Sequence, residues 1–246
     1  MPKPKHNTQA GPGTAGGPVR EQVLICGLGL RLAHMTLETM QALKQCRTVF
    51  HYFLDEQTAA YLRTLCADVR DLGGLSAPDG PAAIADAVLA AAAPGGTVAL
   101  LYYGHPLVFQ EDILIARCRA AKVPYRVLAA LSSLDAVLVA VGYPALREGL
   151  QVRHADAVSR FAPLQRMSPA VILSLDRLRG PGIAAFVKQL KTVYPPEHRV
   201  TLIRCADISG ASALRRETEL RALGRALKEL PAAVRRGASL FIPLVP

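Results

Sequence analysis

From Gln22 onward the chain alternates short apolar runs with stretches of helical length, and that rhythm restricts the fold more than any other feature. Gln22 to Cys26 is an apolar run closed by Gly27-Leu28-Gly29-Leu30, as expected of a buried strand stopped by glycines. Thr36 stands as an N-cap before Leu37, Met40 and Leu43, with Glu38 in the first turn, where the helix dipole favours a carboxylate. Strands follow at Thr48 to Phe53, Val69 to Leu72, Thr97 to Tyr103 and Tyr125 to Leu128. Helices fall between and after them at Glu56 to Cys66, Pro81 to Ala92, near Val108 to Ala120, and from Ser132 or Ser133 to Val141. Such alternation predicts a parallel sheet covered on both faces.

The rhythm changes at Gly142-Tyr143-Pro144. Beyond it, Gln151 to His154, Ala170 to Leu175, His198 to Cys205, Leu214 to Leu220 and Ala238 to Leu244 read as strands, with Ile183 to Val193 as the one clear helix. The expected architecture is therefore a two-domain α/β protein. A flexible tail over 1–20 precedes a parallel-sheet N-terminal domain over 21–147 and a smaller mixed α/β C-terminal domain over 148–246. A ligand is expected in the cleft between them, outside the carboxyl ends of the parallel strands. The 246 residues, 51% of them hydrophobic, suffice for cores of that size.

Composition removes several classes. The formal net charge of +10 favours an anionic partner. The charge by itself does not choose between nucleic acid and an acidic peptide. Only Arg215-Arg216 and Arg235-Arg236 are adjacent basic pairs and no basic stretch is interleaved with aromatics, so the dispersed basic residues read as a solvated surface and nucleic acid is not expected. Ala87 to Tyr103 is uncharged, but Pro94-Gly95-Gly96 interrupts it and it falls short of the ~20 residues of a membrane span. The first 20 residues have no apolar stretch and match neither a secretory signal nor an anchor, so a soluble, cytoplasmic protein is expected. Cys26, Cys46, Cys66, Cys118 and Cys205 lie far apart in hydrophobic surroundings, with no C-x-x-C pair and no histidine at metal-ligand spacing. Reduced core cysteines and no metal site are expected.

Three loops are placed to carry chemistry. Gly27-Leu28-Gly29 lets the backbone turn sharply and approach a ligand, although Leu32 stands where a dinucleotide fingerprint needs a third glycine and only Asp55 could anchor a ribose. Tyr102-Tyr103-Gly104-His105-Pro106-Leu107-Val108-Phe109 leaves the most hydrophobic strand at its carboxyl end, the functional position in an open α/β sheet. Ser132-Ser133-Leu134-Asp135 is a helix start whose hydroxyls either cap the helix or also meet a ligand. P-loop, H-E-x-x-H and G-x-S-x-G patterns are absent.

In this order, the glycine loop Gly27 to Gly29, the Thr36-Leu37 helix start, the strand Thr48 to Phe53, the Gly-x-Pro turn Gly104 to Pro106 and Ser132-Ser133 resemble the tetrapyrrole methylase superfamily of S-adenosylmethionine-dependent methyltransferases. The resemblance spans residues 22 to 246. Tetrapyrrole enzymes of that superfamily usually carry Asp where this chain has His105. The octet Tyr102 to Phe109, His34-Met35-Thr36-Leu37-Glu38, Tyr194-Pro195-Pro196-Glu197-His198 and Ser239-Leu240-Phe241-Ile242-Pro243 look more like the borosin branch, whose members methylate backbone amides of a peptide.

The resemblance implies a homodimer with S-adenosylmethionine folded into the interdomain cleft. Gly27, Gly29, Gly104, His105, Val108, Phe109, Ser132 and Ser133 would line the pocket from the first domain, and Ala206, Ser239 and Leu240 would close it from the second. The Arg and Tyr that the branch carries before the fourth strand have no counterpart in Ser76-Ala77-Pro78-Asp79-Gly80-Pro81, which leaves Tyr103, with Tyr102, as the expected catalytic group. The chain stops at Leu244-Val245-Pro246, just past its last expected strand, so a peptide substrate is expected as a separate precursor. A small-molecule acceptor such as a tetrapyrrole, or a non-catalytic cofactor-binding subunit, are the alternatives.

Overall fold

The computed structural model describes residues 22–52, 54–75, 80–109, 113–158, 164–206 and 213–245. The expected tail and most of the stretch Ser76 to Pro81 lie outside these residues. The parallel-sheet half comprises β1 (Gln22–Gly27), α1 (Leu37–Leu43), β2 (Thr48–His51), α2 (Glu56–Leu65), β3 (Val69–Asp71), α3 (Gly80–Ala92) and β4 (Thr97–Tyr102). It continues through α4 (Pro106–Phe109), α5 (Ile113–Ala120), β5 (Tyr125–Val127) and α6 (Ser133–Val141). The five strands run parallel in the order β3-β2-β4-β1-β5.

Alternation along the strands divides the residues between the two faces of this sheet. Leu24, Cys26, Val49, Ala99 and Leu101 pack with Leu43, Cys46 and Leu62 on the side of α1 and α2. Val23, Ile25, Phe50, Val98 and Leu100 pack with Ile84, Val88, Leu114 and Cys118 of α3 and α5. The chain leaving β1 therefore crosses one face and the chain leaving β4 crosses the other, although β1 and β4 are neighbours. Their carboxyl ends form the switch point at which an open α/β sheet offers a crevice.

Local signals in the sequence explain the helix starts. Thr36 accepts a hydrogen bond from the Thr39 amide at 3.1 Å. Asp55 caps α2, accepting from the Thr58 amide at 2.9 Å and the Thr58 hydroxyl at 2.8 Å, and these bonds hold its carboxyl below the usual range. That carboxylate is occupied in capping and is not set out as a ribose anchor.

The second half contains α7 (Ala145–Glu148), β6 (Gln151–His154), β7 (Ala170–Leu173), α8 (Pro181–Lys191), β8 (Arg199–Arg204) and β9 (Leu214–Glu219). It ends with α9 (Leu220–Glu229), α10 (Ala232–Arg235) and β10 (Ala238–Ile242). Its sheet, ordered β6-β7-β10-β8-β9, is antiparallel except for the β6–β7 pair. The expectation of a single clear helix here is corrected by α9. Leu220, Leu223, Ala226 and Leu227 recur at helical spacing and are all buried, and the preceding strand stops at Glu219 rather than Leu220.

Ile172, Leu202 and Leu240 join the core beneath α8 and α9, whereas Val171, Leu173, Ile203 and Phe241 face Val137 of α6. Helix α6 thus begins at the rim of the first sheet and packs on the second. The contact is reinforced by Arg215 donating to the Ala140 carbonyl at 2.9 Å and by the rings of Tyr143 and Phe241 at 5.6 Å.

Four of the five cysteines are buried, and none forms a disulfide. Burial pushes the Cys26 thiol far up, Cys46 up to about 12 and Cys118 up to about 11. Under native conditions at neutral pH, iodoacetamide is expected to alkylate half-exposed Cys205 first and to reach Cys26, Cys46 and Cys118 only after unfolding, as read by peptide mapping. Early modification of Cys26 would contradict this packing.

Candidate active site at the carboxyl ends of β1, β4 and β5

Gly27 ends β1 in register with Tyr102 at the end of β4. A Cβ on Gly27 would overlap the Gly104 carbonyl oxygen and the Ala130 Cβ, and would lie 3.1 Å from Pro106 Cδ. The segments leaving β1, β4 and β5 therefore meet at one point, and only glycine permits the contact. Two backbone bonds lock the first two segments together: Leu28 donates to the Tyr102 carbonyl at 2.8 Å, and Gly104 donates to the Gly29 carbonyl at 3.0 Å. Gly29 is required as well, because its φ is 78° and a Cβ there would run into His34.

Past that junction an unfilled space remains, although Gly104 itself is buried. Gly104 has a φ of 75°, and a Cβ on it would meet nothing within 4 Å. His105 follows, and its Nδ1 accepts the Leu107 amide at 3.1 Å, which caps α4 and leaves the ring proton on Nε2. Leu107 and Val108 are 60% and 37% exposed, so two apolar side chains stand uncovered beside the crevice. The side chain of Phe109 lies outside the described residues.

The two tyrosines part company. Tyr102 is 6% exposed and packs into the core beneath α3 and α5, edge-on to Tyr52 at 5.9 Å. Tyr103, half-buried just beyond β4, is the member of the pair nearer the rim. Its neighbour in the sheet, β2, ends at His51, which is 4% exposed and whose Nδ1 lies 3.6 Å from the Asp71 carboxylate at the end of β3. Burial holds the His51 imidazole below its ordinary pKa, against the opposing pull of Asp71. Sequence reasoning passed over this pair, because a histidine inside a strand and an aspartate closing another give no local pattern.

Ser132 is buried, and its role as a helix cap is explicit. Its amide and hydroxyl both donate to the Asp135 carboxylate, at 2.7 and 2.5 Å, and its hydroxyl oxygen accepts the Asp135 amide at 3.3 Å. Ser133 is half-buried at the first position of α6. From the second half, Ser239 is buried on the sheet face that α6 covers, since it pairs with Ile203 and alternates with Leu240. The Leu240 side chain points to the opposite face, into the core with α8 and α9. Ala206 is exposed two residues beyond β8, at the same end of that sheet as Ser239. Ser174, 6% exposed at that end, adopts a left-handed conformation with φ 60°, which a serine rarely does without support from its surroundings. No sequence signal marks it.

A parallel sheet with a glycine-tight rim is thus tied by one helix to a second mixed sheet, a two-lobed α/β architecture. The model of the tetrapyrrole (corrin/porphyrin) methylases matches residues 22–208, and the chain belongs to that family. Its fold is similar to that of a uroporphyrin-III C-methyltransferase from Thermus thermophilus, with a TM-score of 0.66 and 23% identity over 90% of this chain and 91% of the other. A cobalt-precorrin-4 methyltransferase of cobalamin biosynthesis aligns with a TM-score of 0.67 and 14% identity over 91% and 95% of the two chains. No curated protein matches the chain. No helix among the described residues is long and apolar enough to cross a membrane, and these residues contain no cluster that could hold a metal ion.

The methyl donor of this family is S-adenosylmethionine. The crevice fits it: open space over the positive-φ Gly104 lets a ligand reach backbone polar groups, and the uncovered Leu107 and Val108 suit the apolar face of an adenosine.

Two substitutions separate fold from site. Gly27→Ala forces the three segments apart and is expected to weaken S-adenosylmethionine binding by at least about tenfold in calorimetry. Ser132→Ala removes the cap of α6 and should lower the unfolding free energy by about 0.5–2 kcal/mol in a urea titration.

Proposed function

We propose that the protein is an S-adenosylmethionine-dependent methyltransferase whose acceptor is a backbone amide of a separate precursor peptide. The observation that carries the assignment of the site is the junction at Gly27, where the segments leaving β1, β4 and β5 meet beside the unfilled space next to buried Gly104. S-adenosylmethionine would supply the electrophilic methyl carbon. The chain's own part is to hold donor and acceptor in line and to exclude water. In this assignment Gly104, His105, Val108, Ser133 and Ser239 hold the cofactor. The segment Tyr103-Gly104-His105-Pro106, which is similar to that of peptide amide methyltransferases, supports the choice of acceptor.

An amide nitrogen is a poor nucleophile while its lone pair is delocalised into the carbonyl. Transfer therefore needs the peptide plane twisted or the N–H proton accepted as the N–C bond forms and the C–S bond breaks. Tyr103 is assigned to orient that amide, since Tyr102 is committed to the core. The net charge of +10 is compatible with an acidic precursor.

A small tetrapyrrole is the second reading, favoured by the family and by the similar structures, a uroporphyrin-III and a cobalt-precorrin-4 methyltransferase. Against it stands His105 in place of the acidic residue usual in those enzymes.

The two are separated by incubating the full chain and S-adenosylmethionine in parallel with peptides encoded beside its gene and with uroporphyrinogen III. Tandem mass spectrometry is expected to show peptide heavier by whole methyl groups on backbone nitrogens, with formation of S-adenosylhomocysteine, and Tyr103→Phe is expected to lower the rate without weakening cofactor binding. Methylation of the macrocycle alone would replace the peptide with the ring.

A further inference from the structure

The face of the second sheet opposite α6 is closed by α8 and α9, and a groove of about 440 Å³ runs between these helices. Its floor is apolar, formed by Ile183, Val187 and Gly224. A Cβ on Gly224 would come no nearer than 3.7 Å to Val187 Cγ2, so the missing side chain leaves real space there. The walls are basic. Lys188 and Lys191 rise from α8, and Arg221, Arg225 and Lys228 from α9, with no carboxylate in the lining.

These cations are not equivalent. Arg221 pairs with Glu219 at 2.5 Å and Arg225 with Glu229 at 2.7 Å, both outside the groove. Lys188, Lys191 and Lys228 make no ion pair among the described residues. On α8, Ala184, Lys188 and Lys191 are spaced i, i+4, i+7, and on α9 Arg221, Arg225 and Lys228 repeat that spacing, so each helix turns one stripe along the groove.

We propose that this groove docks an acidic amphipathic segment of a separate polypeptide, with its apolar side chains on Ile183 and Val187 and its carboxylates on the three unpaired lysines. Charge complementarity selects the sign of the partner. The apolar floor selects a peptide over nucleic acid, because the lining holds no aromatic ring on which a base could stack. Helix-in-groove recognition needs this combination of an apolar floor and flanking charge at helical spacing. The surface lies on the far side of the second sheet from α6, so docking is separate from methyl transfer and stands whatever the methyl acceptor is.

The test is fluorescence anisotropy of a labelled synthetic helical peptide, with leucines at i, i+4 and i+7 flanked by glutamates, titrated with the full chain at near-physiological salt. Two variants are compared: the charge reversal Lys188→Glu, Lys191→Glu, Lys228→Glu, and Gly224→Leu, which fills the floor without changing charge. Circular dichroism melting checks that both are folded. Each variant, and exchange of the peptide's glutamates for glutamine, is expected to weaken binding by at least about tenfold. Unchanged affinity in Gly224→Leu would reduce the effect to unspecific surface charge and overturn the groove. Displacement of the peptide by oligouridylate, with oligouridylate binding lost in the charge reversal, would overturn the peptide in favour of nucleic acid.

Discussion

The close contact of three chain segments at Gly27 is the constraint on which the rest of the site depends. Parallel strands β1 and β4 run side by side, and the chain leaves them toward opposite faces of the sheet. Left to themselves, such ends would splay. Instead the absence of a side chain at Gly27 allows the Gly104 carbonyl and Ala130 to close against the backbone, and two hydrogen bonds between Leu28–Gly29 and Tyr102–Gly104 fix the spacing. The unfilled space next to Gly104 and the exposed apolar pair Leu107 and Val108 begin where that contact ends.

Helix α6 converts this rim into one wall of a two-lobed structure. Its first turn is fixed by the reciprocal Ser132–Asp135 cap, and its buried Val137 packs on Val171, Leu173, Ile203 and Phe241 of the second sheet. A capped and packed helix start has few degrees of freedom, so Ser133 is held in one position at the rim. Ser239 reaches the same covered face from β10. The proposed site therefore rests on the ends of regular elements, which suits a reaction whose rate depends on alignment.

Much of this was legible in the sequence because the governing signals are local. Apolar runs ended by glycine marked β1, and the uninterrupted Val98 to Leu101 run marked the buried β4. Thr36 and Ser132 announced helix starts through hydrogen bonds that reach only three residues, whereas Asp55, read as the one candidate ribose anchor, turned out to cap α2. Helix α9 was missed although Leu220, Leu223, Ala226 and Leu227 carry the period, because the charged edge strand running into it masks the boundary at Glu219. The different fates of Tyr102 and Tyr103 follow from where β4 ends: Tyr102 is its last residue and faces the core, whereas Tyr103 lies just past it and is half-buried. His51 beside Asp71, and Ser174 in its left-handed conformation, are brought to their places by register and tertiary packing alone, so nothing near them in the chain betrays them.

The central claim is that a bent sulfonium nucleoside sits where the three segments meet, and a crystal structure of the full chain with S-adenosylhomocysteine tests it most directly. The account predicts density in the space next to Gly104, with the adenosine against Val108 and polar contacts to the backbone of residues 104–108 and to Ser133. Density elsewhere, or a complex in which that space stays unfilled, would contradict it.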